Sequence, residues 1–310
     1  MKAAMLALLA ETPLHPGVGH DDGEVDLPVA REAATAIPRI PHSGVKGAFR
    51  EKCWQKEYEE KLPADTAHTD EACAEAAKAA DERAKQLFGD SDDAYGAARL
   101  AFSEARLLLL PVRSLDRVYR WVTCDLLIDR FQRLRRLAGL PGLDWRRPNL
   151  ARYEAVASGA GGKIFLEDLV FDAREPTTQE EGRVGTLRKA LQPMLGHTET
   201  DSRLADRLTL IGDDAFGELV QRALPVLARN QLDERKVSRQ LFYEETLPPD
   251  TLLYALVAGT RPGSLTELDG LVDNDHPYLR FGGNETLLQG WCRVTRLAAE
   301  AGASNGTDEQ

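Results

Sequence analysis

The chain opens on an apolar run. Residues 1–10, MKAAMLALLA, hold one charge, and a run of this length bounded by polar turn residues predicts a buried strand. From Ser43 the period changes to that of a helix. In SGVKGAFREKCWQKEYEEKL, Val45, Phe49, Cys53 and Trp54 share one side, with Ser43 as N-cap and Pro63 as the stop. Residues 69–88 predict a second helix, alanine-rich, charged and exposed, within an acidic insertion. AARLAFSEARLLLL predicts a bent strand. TCDLLIDRFQRLRRLAG predicts a helix with Leu126, Leu127, Ile128, Phe131 and Leu134 inward, Arg130, Arg133 and Arg136 outward, and Gly139 as its end.

Beyond Arg152 the elements shorten. Two strands flank the turn SGAGG, and EGRVGTLRKALQPML predicts a helix. DRLTLIG followed by DDAFGELVQRALPVLARN reads as strand then helix, capped by Asp213 or Asp214. LDERKVSRQLFYEETL alternates like a hairpin arm, and DTLLYALVAG reads as a final core strand. YLRFGGNETLLQGWCRVTRL is a glycine-bearing loop feeding a strand. The sum is an α+β sheet with helices mainly on one face. No fixed-period repeat and no clean boundary divides the 310 residues, so a single domain is expected.

Charge changes the picture more than composition does. A hydrophobic share of 43% supports a sizeable core, and a net charge of −11 argues at first against nucleic acid. The charge is unevenly spread. Between Arg31 and Lys56 six basic residues stand against two acidic ones, and between Arg113 and Arg152 ten arginines stand against four aspartates. Four scattered cysteines without a CxxC pair exclude a cysteine zinc site and a disulfide framework. No apolar run reaches the roughly 18 residues of a membrane span, and the first apolar run lacks a convincing signal cleavage site. The protein is expected to be soluble and cytoplasmic.

Familiar catalytic motifs are missing. SGAGGKI has Ala157 and Ile164 where a P-loop needs glycine and Ser/Thr, and is read as a turn. GDSDD at 89–93 and DNDH at 273–276 offer hard oxygens, although loose acidic turns are the commoner use. There is neither a nucleophile elbow nor HExxH. The chemistry gathers instead in TPLHPGVGHDDGEVDLPVARE, residues 12–32, which is too rich in Gly and Pro for helix or strand. It presents His15 and Asp26 just before the helix at PHSGVKG. Backbone N–H groups of that helix start, near Ser43, can hold a phosphate, and Lys46 adds charge one turn in, with Arg31 and Arg39 nearby. Two readings stay open: Asp26 faces a bound phosphodiester, or it caps a turn beside an ordinary surface lysine.

The segment TPLHPGVGHDDGEVDLPVARE…IPRIPHSGVKGAFRE resembles the opening of the repeated backbone subunit of type III-B CRISPR (Cmr) effector complexes, a RAMP-superfamily protein. FGD, LAFSEARLLLLPVRS, WVTCDLL, FYEETLPPDTLLYALV and FGGNET…GWCRV continue the resemblance in order, from Met1 to about Val294 and most weakly between Arg147 and Arg207. It implies a modified ferredoxin-like (RRM-like) palm with a helical insertion at about 57–95, a protruding β-hairpin thumb within about 152–246, and a mobile tail at 298–310. It implies copies of the chain in a helical filament on guide (CRISPR) RNA, beside other Cmr subunits and away from membranes. The thumb would displace a nucleotide of bound target RNA at regular intervals, where cleavage follows. Asp26 matches the aspartate required for cleavage, His15 a histidine beside it, and Lys46 a guide-backbone contact. Arg50 lies one turn beyond Lys46, and Arg113 opens the second basic run. Departures are Leu287 and Leu288 in the closing loop, His42, and AATAIP.

RNA supplies its own nucleophile, so alignment, a proton acceptor and charge stabilisation suffice. The expected products are a 2′,3′-cyclic phosphate and a 5′-OH. An aspartate with an ordinary pKa of about 3.9 is a poor base at neutral pH. Asp26 is therefore expected to orient the reacting groups or to hold a divalent metal, Mg2+ or Mn2+, which the resemblance also implies. Glu244 or Glu245 is the candidate second carboxylate. The alternatives are a non-cleaving RNA-binding scaffold of the same fold and an unrelated acidic metabolic enzyme.

Overall fold

A computed structural model describes residues 2–20, 23, 25–62, 69–90, 96–196, 200–273 and 275–297. The acidic stretch 91–95 and the expected tail at 298–310 lie outside them.

The first strand, β1 (Lys2–Ala10), is followed after a long loop by β2 (Arg39–Ile40), α1 (His42–Lys61) and α2 (Asp70–Phe88). Val45, Phe49 and Cys53 form the buried stripe of α1, while Trp54 is half-buried and donates to Asp81 across the α1–α2 pair. α2 is less exposed than its composition suggests. Ala76, Ala80, Ala84, Leu87 and Phe88 form a buried stripe, whose three alanines let the helix lie close to its neighbours. Then come β3 (Leu100–Phe102), β4 (Ala105–Arg113), β5 (Tyr119–Cys124) and α3 (Asp125–Leu137). The bent strand is thus two strands, parted at Ser103, whose hydroxyl accepts the N–H of Leu256.

Three strands, not two, fill the next stretch: β6 (Glu154–Ala157), β7 (Gly162–Leu166) and β8 (Leu169–Arg174). α4 (Thr178–Leu195), α5 (Thr200–Arg207), β9 (Leu208–Ile211) and α6 (Asp213–Leu219) follow. α6 ends at Leu219, well before the expected Asn230, and Pro225, which lacks a donor and disfavours helical geometry at Leu224, keeps the helix from running on. Gly212, not an aspartate, is its N-cap; Asp213 instead accepts the N–H of Leu126 at the start of α3. The apolar residues after Pro225 begin β10 (Val226–Leu232), which pairs with β11 (Ser238–Glu245) as a separate two-stranded hairpin, mostly exposed. The chain finishes with β12 (Leu252–Gly259), α7 (Ser264–Asp269), β13 (Tyr278–Arg280) and β14 (Trp291–Leu297).

The main sheet runs β13-β14-β1-β12-β4-β5-β9-β6-β8-β7, with β2 on β4 and β3 on β12. The antiparallel set β14-β1-β12-β4 is the ferredoxin-like palm; β5–β9 and β6–β8 are parallel pairs. Ala4–Ala10 and Leu252–Val257 are buried without a break, so both faces of the central strands are covered rather than mainly one. All four cysteines are free thiols. Among the described residues no helix is long and apolar enough to cross a membrane.

The ten arginines between 113 and 152 do not form a free basic strip. Arg117 pairs with Asp206, Arg120 with Asp116, Arg130 with Glu32, Arg147 with Asp213 and Arg152 with Glu218. Arg135 is buried against Phe131.

Candidate active site at the base of the hairpin

Among the described residues, the loop between β1 and β2 has no regular helix or strand, yet it is pinned at several points. Leu14 and Leu247 exchange backbone hydrogen bonds (2.9 and 2.8 Å), Gly17 bridges Val29, and Arg31 bridges Pro38. Between these ties the end of β11 takes hold of the loop at Asp26 and Leu27. The Tyr243 N–H donates to Asp26 Oδ2 at 2.7 Å. Leu27 N–H donates to the Tyr243 carbonyl and Glu245 N–H to the Leu27 carbonyl, both at 3.0 Å. Asp26 is therefore a half-exposed carboxylate, fixed by one oxygen at the root of the hairpin.

Behind it lies a buried polar cluster. His15, 8% exposed, donates from Nδ1 to the Glu245 carbonyl at 2.7 Å, which places the hydrogen of a neutral ring on Nδ1. Its Nε2 faces Gly17, where any Cβ would strike the ring. Glu244 does not reach the surface as a second reactive carboxylate. It is 1% exposed, with Arg229 of β10 against Oε2 as an ion pair, the Asn284 amide against Oε1, and His15 Nδ1 3.6 Å from Oε1. Glu245 is buried as well. It accepts from Val29 N–H (3.0 Å) and from Arg31 (2.6 Å), so it braces the loop.

The loop before β14 closes the cluster. Gly283 N–H donates to the His15 carbonyl at 3.0 Å. Gly282 has φ +83°, and a Cβ there would collide with that same oxygen, so only glycine fits.

The basic candidates divide. Arg31 spends its guanidinium on Glu245 and on the carbonyls of Ala36 and Val220. Arg39 pairs with Glu104 at 2.8 Å, Arg50 reaches the Gly89 carbonyl, and Arg113, exposed at the end of β4, pairs with Glu167. Ser43 is not the N-cap of α1. That place falls to Pro41, which has no side-chain acceptor, and no acidic residue stands in the first turn. Ser43 is exposed within that turn. Lys46 has neither hydrogen bond nor ion pair among the described residues. An uncapped helix start beside a lysine keeps amide donors for an external anion.

Residues 8–287 match the family model of the RAMP superfamily. The chain belongs to that superfamily. Within it, the chain is 30% identical to the CRISPR system Cmr endoribonuclease Cmr4 of Pyrococcus furiosus, over 95% of its own length and 96% of that protein's, and is a Cmr4 homologue. The crystal structure of oligomeric Cmr4 from Pyrococcus furiosus superposes with a TM-score of 0.69 at 27% identity, over 96% of this chain and 98% of that one. A chain from the cryo-EM structure of the type III-B Cmr-beta complex bound to cognate target RNA shares the fold, with a TM-score of 0.69 at 17% identity over 96% and 97% of the two chains.

In this RAMP protein the metal expectation can be tested against the donor set. Among the described residues no three His, Cys, Asp or Glu side chains converge as a metal cage. Asp26 offers one carboxylate with one oxygen already engaged. That fits a hard cation only where RNA phosphate oxygens and water complete its shell. At DNDH, Asp273 instead accepts the N–H groups of Asp275 and His276, the turn its composition suggests. Sequence reasoning missed Arg229 and Asn284. The only signal for Asn284 was its place after two glycines, where a left-handed residue is common.

Proposed function

We propose that the chain binds guide RNA as a repeated backbone subunit of a type III-B CRISPR ribonucleoprotein, and that within the assembly it cleaves complementary target RNA beside Asp26. The carrying observation is the fixed, half-exposed Asp26 at the root of a projecting hairpin. Kinship to a protein named Cmr endoribonuclease supports the reaction class. The β10–β11 hairpin fits the role of thumb: its outer part is exposed, and its root is the element that holds Asp26. The open start of α1, with Ser43 and Lys46, fits the guide backbone. Arg31 and Arg39 support the loop from behind.

The proposed reaction makes use of this geometry. A displaced nucleotide frees the next linkage from A-form geometry, so the 2′-OH, phosphorus and 5′-oxygen can line up. The 2′-oxygen bonds to phosphorus as the bond to the 5′-oxygen breaks; solvent water takes up the 2′-OH proton and supplies one to the departing 5′-oxygen. Asp26 Oδ1, opposite the oxygen held by Tyr243, orients the hydroxyl. His15 holds the loop through Nδ1. Asp26 is the residue that would hold Mg2+ or Mn2+, and such an ion would supply positive charge to the phosphate oxygens.

One observation favours the scaffold reading: Asp26 also caps the Tyr243 N–H. Asp26→Asn separates the two, because the amide oxygen still accepts that hydrogen bond while the charge is gone. In a guide-loaded assembly it should abolish target cleavage and leave guide binding intact, and chelation of divalent ions should do the same to the unaltered chain. Undiminished cleavage by Asp26→Asn would leave only the scaffold.

A further inference from the structure

The cluster behind Asp26 contains a contact that the proposed reaction does not use. Asn284 has φ +64°, and its side-chain amide donates to Glu244 Oε1 and, at 2.9 Å, to Gln289. Asparagine is one of the few side-chain-bearing residues that enters this region readily. The donor it brings is needed. Oε2 of Glu244 faces Arg229, and the Nδ1 hydrogen of His15 goes to the Glu245 carbonyl, which leaves Oε1 to Asn284. A carboxylate oxygen buried without a donor is costly.

We propose that Asn284 is a positioning residue for Asp26, acting through Glu244 and the end of β11; the proposal rests on the function given above. Glu244 adjoins Tyr243, whose N–H holds Asp26 and whose carbonyl holds Leu27. Fixing the Glu244 side chain from the closing loop therefore fixes the backbone that sets the Asp26 carboxylate. The same loop grips His15 through the N–H of Gly283. One turn thus ties residues 15, 26, 229 and 244, brought from the loop after β1 and the β10–β11 hairpin, into a single arrangement.

The test exchanges donor and acceptor. Asn284→Asp removes the donor and sets two carboxylates together; Asn284→Ala removes the donor alone. In the guide-loaded assembly each should slow target cleavage by about 10- to 100-fold, with guide affinity unchanged. Combining Asn284→Asp with Glu244→Gln restores the pair in reverse, and cleavage should return to within about threefold of the unaltered chain. Amide hydrogen exchange at Tyr243, measured on the full chain without RNA, should quicken in both single variants and slow again in the double one. Unchanged exchange at Tyr243, undiminished cleavage in the single variants, or failure of the exchanged pair to restore it overturns the proposal. Exchange at Tyr243 does not depend on cleavage, so it judges the latch even where Asp26→Asn has refuted the reaction.

Discussion

α4 begins under a complete capping box, whereas α1 begins at Pro41 with no side-chain cap. At α4, Thr177 accepts from Glu180 N–H (3.3 Å) and Glu180 accepts from Thr177 N–H (2.8 Å). Arg174 then clamps the same glutamate with two bonds of 2.7 and 2.9 Å and reaches on to Glu154. At α1 no side chain makes the cap hydrogen bond and the first turn lacks an acid, and Lys46 follows it. The two starts have the same backbone physics and opposite uses. Where the chain satisfies its own amides, the end is structural; where it leaves them to a partner, the end is available to an anion.

A single charge tests this contrast most severely. Ser43→Asp gives α1 the acid it lacks. It should raise the stability of the free chain by about 0.3–1 kcal/mol through the helix dipole. The same change should weaken guide-RNA binding by roughly tenfold, since about 1.4 kcal/mol of repulsion from a phosphate suffices. Chemical denaturation and RNA titration at fixed salt read the two effects. Opposite signs identify an anion site; if both measurements merely improve or stay level, α1 does not hold RNA.

The sealed end should respond in the other direction. Thr177→Ala removes half of the capping box and should cost about 1 kcal/mol of stability, with no change in guide binding. The midpoint of denaturant unfolding measures the first and the same RNA titration the second. An effect on RNA from this substitution would erase the distinction between the two ends.

What the sequence could show of these regions follows from the range of the interactions. β1, α1, α2 and the central β12 were legible because their apolar spacing is local. The Gly and Pro of residues 12–32 announced an irregular loop, and the resemblance drew attention to Asp26. The burial of Glu244 was not legible: its partners lie 15 residues before it and 40 after it in the chain, and nothing local marks them. For the same reason the arginine run stood out as a block of unbalanced positive charge, although acids as far off as Asp206 and Glu218 neutralise much of it. The N-cap went to Pro41 because a helix start is set by backbone angles as well as by a suitable side chain.

The smallest effect sharpens the comparison through pH. The hydrogen bonds from Arg174 hold the Glu180 carboxyl down at about 2, below the ordinary glutamate value of 4.5. A carboxylate depressed in the folded state binds fewer protons than in the unfolded chain, so it stabilises fully above about pH 4.5 and loses that contribution as pH falls towards 2. Asp116, held at about 2 by Arg120, loses its contribution in nearly the same window. Glu180→Gln should therefore flatten only part of the acid limb of a stability–pH curve, leaving the slope that belongs to Asp116. α1 has no acidic residue in its first turn, so its end adds nothing to that limb. In the Ser43→Asp variant the new carboxylate beside the α1 amides should be depressed too, and the acid limb should steepen. A curve unchanged by that substitution would mean that the α1 amides exert little pull on an anion, and the open end would lose its physical basis.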